Sequence, residues 1–309
     1  MGGLVESTNA LLQVFDEEAL RELEPVTVEV GAGDILQRSG TPEEYAYFPI
    51  NAVVSLLSTT STGGSVEVSM VGREGVAGLS GIFASNSPTE NIIQLGGSCV
   101  RVSTAALRRS HRRNPVMQAV FDRYTTARLI QMTRLAACHR LHPVGSRLPR
   151  WLLGLHDRAQ TDTFRLSQQH LADVLGAHRP TVAMELQKLR ATRSIRYTGR
   201  LITIADRERL ETLACECHQA LHADYLNLLN WAPAASTDGD AAAGDRDEAL
   251  TVISHELRTP LQAILGWCAI AAERGAADNA LAVIERNARA QLRVIEEKLD
   301  VLARGEGRH

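Results

Sequence analysis

Residues 166–204 contain two short helical patterns and two strand patterns, each pair joined at a glycine. Ser167 is a suitable N-cap for the first helix, Gly176 ends it, and Pro180 stands in the first turn of the second. The two strand patterns lie on either side of Gly199, which supplies the positive φ of a tight turn. Three small or apolar residues occupy the positions where the helices must cross closely: Ala172, Gly176 and Val182. The stretch therefore predicts two crossing helices followed by a β-hairpin, which is the arrangement of a winged helix-turn-helix.

The charges of the chain are segregated along its length, although the net charge is only −3. Residues 101–210 hold 21 Lys and Arg against 7 Asp and Glu, whereas residues 1–100 and 211–309 are acidic. A basic block around a helix-turn-helix is the pattern expected of a segment that contacts phosphates, which favours double-stranded DNA as a partner. In the alternative interpretation, some of these arginines only solvate a helix face or contact the acidic N-terminal part. The candidate DNA-binding residues are Ser167, Gln168, His178, Arg179, Thr181, Lys188 and Arg200.

The N-terminal third of the chain has the patterns of short strands. Residues 26–102 alternate between apolar and polar positions in runs separated by glycines, which predicts a compact antiparallel β-roll. Asn114-Pro115 then opens a long helix that runs to about His139, and this length suits a dimer interface as well as a core helix. Its expected apolar stripe consists of Val116, Val120, Tyr124, Ala127, Ile130, Met132, Leu135 and Ala136. A new helical domain begins with a helix over Leu148 to His156, and a single final helix is predicted from Asp206 to about Trp231.

This order of β-roll, long helix and winged helix resembles the Crp/Fnr family of bacterial transcription regulators over residues of about 11–230. The segments that carry the resemblance, besides the helix-turn-helix, are Gly72-Arg73-Glu74-Gly75, Ala77-Gly78-Leu79 and Arg150-Trp151-Leu152-Leu153. The resemblance implies a homodimer on a two-fold operator, with each recognition helix in a major groove. It also implies that Arg179 contacts a base edge, and a bidentate contact to guanine suits its guanidinium. Pro180 and Met184 stand where other members have an acid and an arginine, so the operator sequence does not transfer.

The resemblance also points to an effector pocket in the β-roll, with Glu74, Gly75 and Thr89 as candidate residues. In members that bind cyclic nucleotides, a glutamate binds the ribose and an Arg-Ser or Arg-Thr pair neutralises the phosphate. Glu74 matches the first, but the second region reads Ser87-Pro88-Thr89-Glu90-Asn91 and has an acid instead of the cation. Because Glu90 would repel a phosphate, cyclic AMP is not expected to bind, and no cofactor is predicted.

A second motif stands near the end of the chain, where residues 254–261 read Ser-His-Glu-Leu-Arg-Thr-Pro-Leu. This segment resembles the phosphoacceptor box of histidine-kinase dimerisation domains. On a helix, His255 lies about 150° from the centre of the apolar stripe, so its imidazole is expected to face water. The resemblance makes His255 the phosphoacceptor, and the supporting residues of the box are Glu256, Arg258, Thr259 and Pro260.

A second apolar helix follows this box, so residues of about 246–305 are expected to form an antiparallel helical hairpin. Such a hairpin cannot bury both stripes alone, which predicts a dimeric four-helix bundle. The sequence shows neither the ATP-binding domain that follows in the resembled kinases nor a phosphate loop, so no autonomous kinase activity is expected. An external histidine kinase or a receiver-domain protein would then supply the phosphoryl group.

The five cysteines do not form the pattern of a secreted disulfide framework, and no apolar run approaches the length of a membrane span. A cytoplasmic protein without a membrane partner is therefore expected. Cys138-His139 with His142, and Cys215-Glu216-Cys217-His218, are ligands of a type that metals use. Neither spacing is typical of a zinc site, so no metal site is predicted.

The resulting interpretation is an α+β multidomain chain, divided into a cyclic-nucleotide-binding-like β-roll (1–112), a dimerisation helix (113–141), a winged helix-turn-helix (142–231), a flexible linker (232–245) and a C-terminal two-helix hairpin (246–309). Its expected function is transcription regulation of the Crp/Fnr type, coupled to a phosphorelay through His255. One alternative is a phosphorelay component that resembles a sensor histidine kinase, with DNA binding secondary or lost. Another is a hairpin that serves dimerisation only.

Overall fold

The structure is a computed structural model that describes residues 9–61, 63–83, 86–159 and 161–229. By its internal contacts the chain divides into a unit from Met1 to Pro233 and a second unit from Ala234 to His309. The predicted linker and hairpin, including His255 and the other residues of its box, lie outside the described residues. None of the described helices is both long and apolar enough to cross a membrane.

The predicted β-roll is confirmed as two antiparallel sheets. Their strands are β1 (Val26–Val30), β2 (Ile35–Gln37), β3 (Tyr45–Pro49), β4 (Val53–Thr59), β5 (Ser65–Val71), β6 (Glu90–Leu95) and β7 (Gly97–Ser103). One sheet has the order β1-β7-β3 and the other the order β2-β6-β4-β5. The predicted glycine turn joins β4 to β5, where Gly63 has a φ of +84° and Thr60 N donates a 2.8 Å hydrogen bond to Gly64 O.

Most of the described helices come after the β-roll in the chain. A 3-10 helix (Leu12–Val14), α1 (Glu17–Glu22) and α2 (Ser80–Phe83) are short, and then come α3 (Thr104–Arg113), α4 (Pro115–Leu141), α5 (Val144–Arg158), α6 (Gln168–Leu175), α7 (Arg179–Ala191), α8 (Arg207–Leu213) and α9 (Cys217–Leu229). The predicted wing is confirmed as β9 (Ile195–Thr198) and β10 (Leu201–Ile204). A short strand that the sequence did not indicate, β8 (Thr163–Arg165), pairs with β10.

The long helix α4 begins as predicted, because the Asn114 side chain accepts a hydrogen bond from Met117 N and Pro115 occupies the first turn. Its predicted apolar stripe is wrong in part, since Val116 is 51% exposed, Met132 is 36% exposed and Ala136 also faces outward. Polar side chains take part in the buried face instead. Arg128 Nη1 donates hydrogen bonds to Met70 O (3.1 Å) and to Gln131 Oε1 (2.7 Å). The helix therefore packs against β5 partly through hydrogen bonds, which an apolar pattern cannot reveal.

The single helix predicted from Asp206 to about Trp231 is also wrong, because the chain breaks between α8 and α9. Ala214 ends α8 with an extended backbone (φ −75°, ψ 154°), and Cys215 is buried next to it. Cys215 N donates a hydrogen bond to Ser146 O, and Cys215 Sγ contacts Cys138 Sγ. Contacts with the start of α5 and the end of α4 thus replace the continuous helix.

The described residues contain two large apolar clusters. One joins α3 and α4 to β3 and β7, and it includes Phe48, Val100 and Phe121. The other joins the winged helix to the sheet of β4 and β5, where Val53, Leu57 and Met70 pack with residues of α5, α6 and α7. Trp151 on α5 is 1% exposed in this second cluster. The winged helix is therefore packed against the β-roll by shared apolar surface.

Candidate nucleic-acid interface

The two helices of the helix-turn-helix are joined as the sequence predicts. Ser167 Oγ caps α6 by accepting a 3.0 Å hydrogen bond from His170 N. Gly176 ends α6 in the left-handed conformation (φ +55°, ψ 48°), which a residue with a side chain adopts only at a cost. Ala172 and Val182 are buried where the helices cross. This turn directs the first residues of α7 outward.

Four of the seven predicted DNA-binding residues line one cleft of about 390 Å³. The cleft lies between the start of α6, the start of α7 and the turn of the wing. Its lining residues are Ser167, Gln168, Gln169, Arg179, Tyr197, Gly199 and Arg200. Gln168 Nε2 donates a 3.0 Å hydrogen bond to the Tyr197 hydroxyl, which ties α6 to β9. Gln169 and Tyr197 could not be identified from the sequence, because they line the cleft only when the wing folds back onto α6.

The three other predicted residues lie on α7 or directly before it, but they do not line this cleft. His178 precedes the helix, is exposed and makes no capping hydrogen bond through its side chain, and Thr181 is half-buried. Lys188 is 61% exposed and forms an ion pair with Glu185 at 2.8 Å. Because the lysine side chain itself is exposed, its ammonium group remains accessible to a phosphate.

The cations of the cleft face solvent. Within the described part of the chain, neither Arg179 nor Arg200 has a carboxylate within ion-pair distance, and both residues are exposed. Two uncompensated guanidinium groups beside two amide side chains form a surface that can bind phosphates and donate hydrogen bonds to base edges.

The effector residue Glu74 is engaged within the protein. Its carboxylate accepts a 2.7 Å hydrogen bond from Arg158 Nε and a 3.0 Å hydrogen bond from Gly72 N. The two side chains are 0% and 9% exposed. Burial alone would lower the pKa of Arg158, but the adjacent Glu74 carboxylate raises it above its ordinary value. Glu74 therefore binds the end of α5, and Arg158 is the partner that the sequence did not reveal.

The two other effector candidates also contact protein groups. A Cβ atom on Gly75 would clash with the Tyr124 hydroxyl, so the glycine is needed where α4 crosses this loop. Thr89 is buried and its hydroxyl contacts Asn91 Oδ1 at 3.1 Å. The neighbouring Glu90 lies 3.7 Å from Arg38 Nη1, so part of its negative charge is offset.

The two groups of metal-type ligands that are distant in sequence come together in the structure. Cys138 and His142 at the end of α4 meet Cys215 and Cys217 at the start of α9, and their four ligand atoms lie within 4.8 Å of one another. The sequence signal was split between two half-sites, neither of which has a zinc spacing by itself.

Comparison with known proteins agrees with the helix-turn-helix described above. Residues 146–213 match the family model of the Crp-like helix-turn-helix domain, and residues 245–307 match that of the His Kinase A (phospho-acceptor) domain. The global nitrogen regulator of Nostoc sp. is 24% identical over 212 residues, which cover 65% of this chain and 95% of that protein.

Solved structures show the same fold. FixK2 from Bradyrhizobium japonicum superimposes with a TM-score of 0.53 at 19% identity, over 62% of this chain and 98% of FixK2. A CRP/FNR-family transcriptional regulator from Thermus thermophilus superimposes with a TM-score of 0.51 at 18% identity, over 61% of this chain and 98% of that chain. The chain therefore has the fold of these CRP/FNR-family regulators, together with regions that match the Crp-like helix-turn-helix domain and the His Kinase A domain.

Proposed function

We propose that this regulator acts in the cytoplasm as a homodimer on a two-fold DNA operator, with α7 in the major groove and the wing on the backbone. The observation that carries the proposal is the cleft in which exposed Arg179 and Arg200 stand beside Ser167 and Gln168. Val116 and Met132, two exposed apolar side chains of α4, support dimerisation, because packing against a second chain would remove such side chains from water. Arg179, in the first turn of α7, is the side chain proposed to contact a base edge.

Replacing Arg179 with alanine is expected to weaken binding to the specific operator by about 1–3 kcal/mol per recognition helix, because a bidentate contact to guanine is lost. Binding to random DNA, which depends on phosphate contacts, is expected to change little. The operator is first selected from a random DNA pool with the wild-type protein, and binding is then measured by fluorescence anisotropy at fixed salt.

Arg190→Ala is the matched control, since Arg190 is an exposed arginine on the same helix and does not line the cleft. It removes the same charge and should affect specific and random DNA alike. An equal loss on both DNAs for Arg179→Ala would instead show that Arg179 contacts only phosphate.

We further propose that a phosphorelay acts on this regulator through His255. The match of residues 245–307 to the phospho-acceptor domain and the box around His255 support this step. An imidazole nitrogen of His255 would attack the phosphorus of a phosphorylated receiver aspartate. The N–P bond forms, the acyl O–P bond breaks, and the aspartate leaves as a carboxylate. The added negative charge would then alter dimer packing or the affinity for DNA.

A separate histidine-kinase catalytic domain with ATP, or a phosphorylated receiver domain, is expected to label the purified protein, whereas ATP and Mg²⁺ alone are not. The adduct should be acid-labile and base-stable, as expected of a phosphoramidate. His255→Gln should eliminate the label, and His309→Gln, which changes a histidine outside the box, should retain it. Labelling by ATP alone would contradict the need for an external donor. If no donor labels the protein, yet deletion of residues 246–309 weakens dimerisation, the hairpin serves dimerisation only.

A further inference from the structure

Four potential metal ligands converge from two separate segments of the chain. Cys138 lies in the last turn of α4, and His142 follows that helix directly. Cys215 lies in the break between α8 and α9, and Cys217 is the first residue of α9. More than 70 residues, which include the whole helix-turn-helix and the wing, separate His142 from Cys215 in sequence. The tertiary fold, rather than the spacing along one helix, therefore brings these ligands together.

The spacing of the ligand atoms matches a tetrahedral zinc site. Cys138 Sγ lies 3.5 Å from Cys215 Sγ, and Cys217 Sγ lies 3.6 Å from His142 Nδ1. With Zn–S bonds of about 2.3 Å and Zn–N bonds of about 2.0 Å, a tetrahedron has S–S edges of about 3.8 Å and S–N edges of about 3.5 Å. Small side-chain adjustments would therefore place all four atoms around one ion.

The orientation of the imidazole fits the role of a ligand. His142 Nε2 lies 3.0 Å from Glu216 Oε1, so the carboxylate accepts a hydrogen bond from Nε2–H. The lone pair of Nδ1 is then directed at the thiols. A carboxylate that orients the far nitrogen of a zinc-bound histidine is a common outer-shell arrangement. The neighbouring His139 is engaged elsewhere, because its Nε2 contacts Glu67 O and its Nδ1 contacts Arg147 Nη1. The structure thus distinguishes one histidine from the other as the ligand.

The charge around the cluster also suits a zinc–thiolate centre. Zinc with three thiolates and a neutral imidazole carries a net charge of −1 and requires a positive environment. Arg150 is 5% exposed, and among the described residues its Nε and one Nη atom have no hydrogen-bond partner. The positive charge of Arg150 acts on both Cys138 and Cys215. Glu67 also lies near Arg150, but burial raises the pKa of this carboxyl group. Glu67 is therefore less able to balance the positive charge of Arg150.

We infer that Cys138, His142, Cys215 and Cys217 bind one Zn²⁺ ion per chain as a structural Cys3His site. Four protein ligands leave no open coordination position, so the ion stabilises structure and does not activate water. It joins the end of α4 to the start of α9, which are the segments that precede and follow the winged helix in the chain. The ion thereby fixes the position of the DNA-binding domain at the end of the long helix.

Full-length protein purified under reducing conditions is expected to contain one zinc per chain by elemental analysis. After removal of zinc, titration with Co²⁺ should produce thiolate-to-cobalt charge-transfer absorption and the intense visible bands of a tetrahedral site. Glu216→Gln should keep the stoichiometry and weaken zinc binding by about 10- to 100-fold, because only the orientation of His142 is affected. Zinc should also slow hydrogen exchange at the end of α4 and the start of α9.

Cys217→Ser and His142→Asn are expected to lose stoichiometric zinc, whereas Cys99→Ala, which changes a buried cysteine of β7 outside the cluster, should retain it. Circular dichroism of each variant verifies that loss of zinc does not reflect unfolding. Three results would overturn the inference: folded wild-type protein that binds zinc no more tightly than Cys217→Ser, cobalt bands without thiolate charge transfer, or stoichiometric iron in place of zinc. A Cys138–Cys215 disulfide recovered from the reduced preparation would also exclude the site.

Discussion

Replacing Arg158 with methionine is expected to lower the free energy of unfolding by about 3–5 kcal/mol, because Glu74 would remain buried without a counter-charge. The two side chains are almost fully enclosed and form a 2.7 Å hydrogen-bonded ion pair. Arg158 also stacks over Tyr225, with its guanidinium carbon 4.7 Å from the ring centroid, so the substitution removes a contact to α9 as well. Urea denaturation of the full-length protein, followed by circular dichroism, measures the loss.

The double variant Glu74→Gln/Arg158→Met should recover most of this loss, since it removes the buried charge and keeps an acceptor for Gly72 N. Arg21→Met is a matched surface control: Arg21 pairs with Glu17 at 3.9 Å, both side chains are at least 70% exposed, and the expected change is below about 1 kcal/mol. If the double variant were as unstable as Arg158→Met alone, the lost packing of the arginine rather than the unpaired carboxylate would be the cause.

Replacing Trp151 with alanine is expected to lower the free energy of unfolding by about 3–5 kcal/mol, as is usual for the truncation of a buried aromatic side chain. Trp151 is 1% exposed at the centre of the cluster shared by the winged helix and the β-roll. Its Nε1 atom also donates a 3.0 Å hydrogen bond to the buried carboxyl group of Glu67. The same denaturation experiment measures the effect, and increased proteolysis between β-roll and winged helix should accompany it.

Trp151→Phe separates the two contributions of this side chain. Phenylalanine retains most of the apolar volume but leaves Glu67 with the Ser55 hydroxyl as its remaining side-chain donor, which should cost about 1–3 kcal/mol. A loss below about 1 kcal/mol for Trp151→Ala would show that this cluster does not hold the two parts of the protein together.

Much of the fold could be predicted because its signals are local. Ser167, Gly176 and Gly199 act within a few residues of their own positions, as a cap, a left-handed helix end and a hairpin turn. The alternation of the β-roll strands and the proline at the start of α4 are local in the same way. Local patterns suffice for these elements because capping, turn geometry and side-chain periodicity depend on adjacent residues.

The contacts between elements could not be predicted, because one sequence pattern is compatible with many partners. Glu74 was expected to serve a ligand, and only the packing of α5 places Arg158 against it. The inward face of α4 includes Arg128 because Met70 O lies within hydrogen-bonding distance, a relation that no periodicity encodes.

The sequence by itself determined the β-roll, the long helix, the winged helix-turn-helix and the candidate cleft residues Arg179 and Arg200. The tertiary structure alone decided that α8 and α9 are separate helices and that Cys215 and Cys217 lie beside Cys138 and His142. The physical reason is that the two kinds of feature depend on interactions over different distances along the chain. Helix caps and turns are chosen by neighbours in sequence, whereas ion pairs and ligand clusters form between groups that only the packed core brings within a few ångströms.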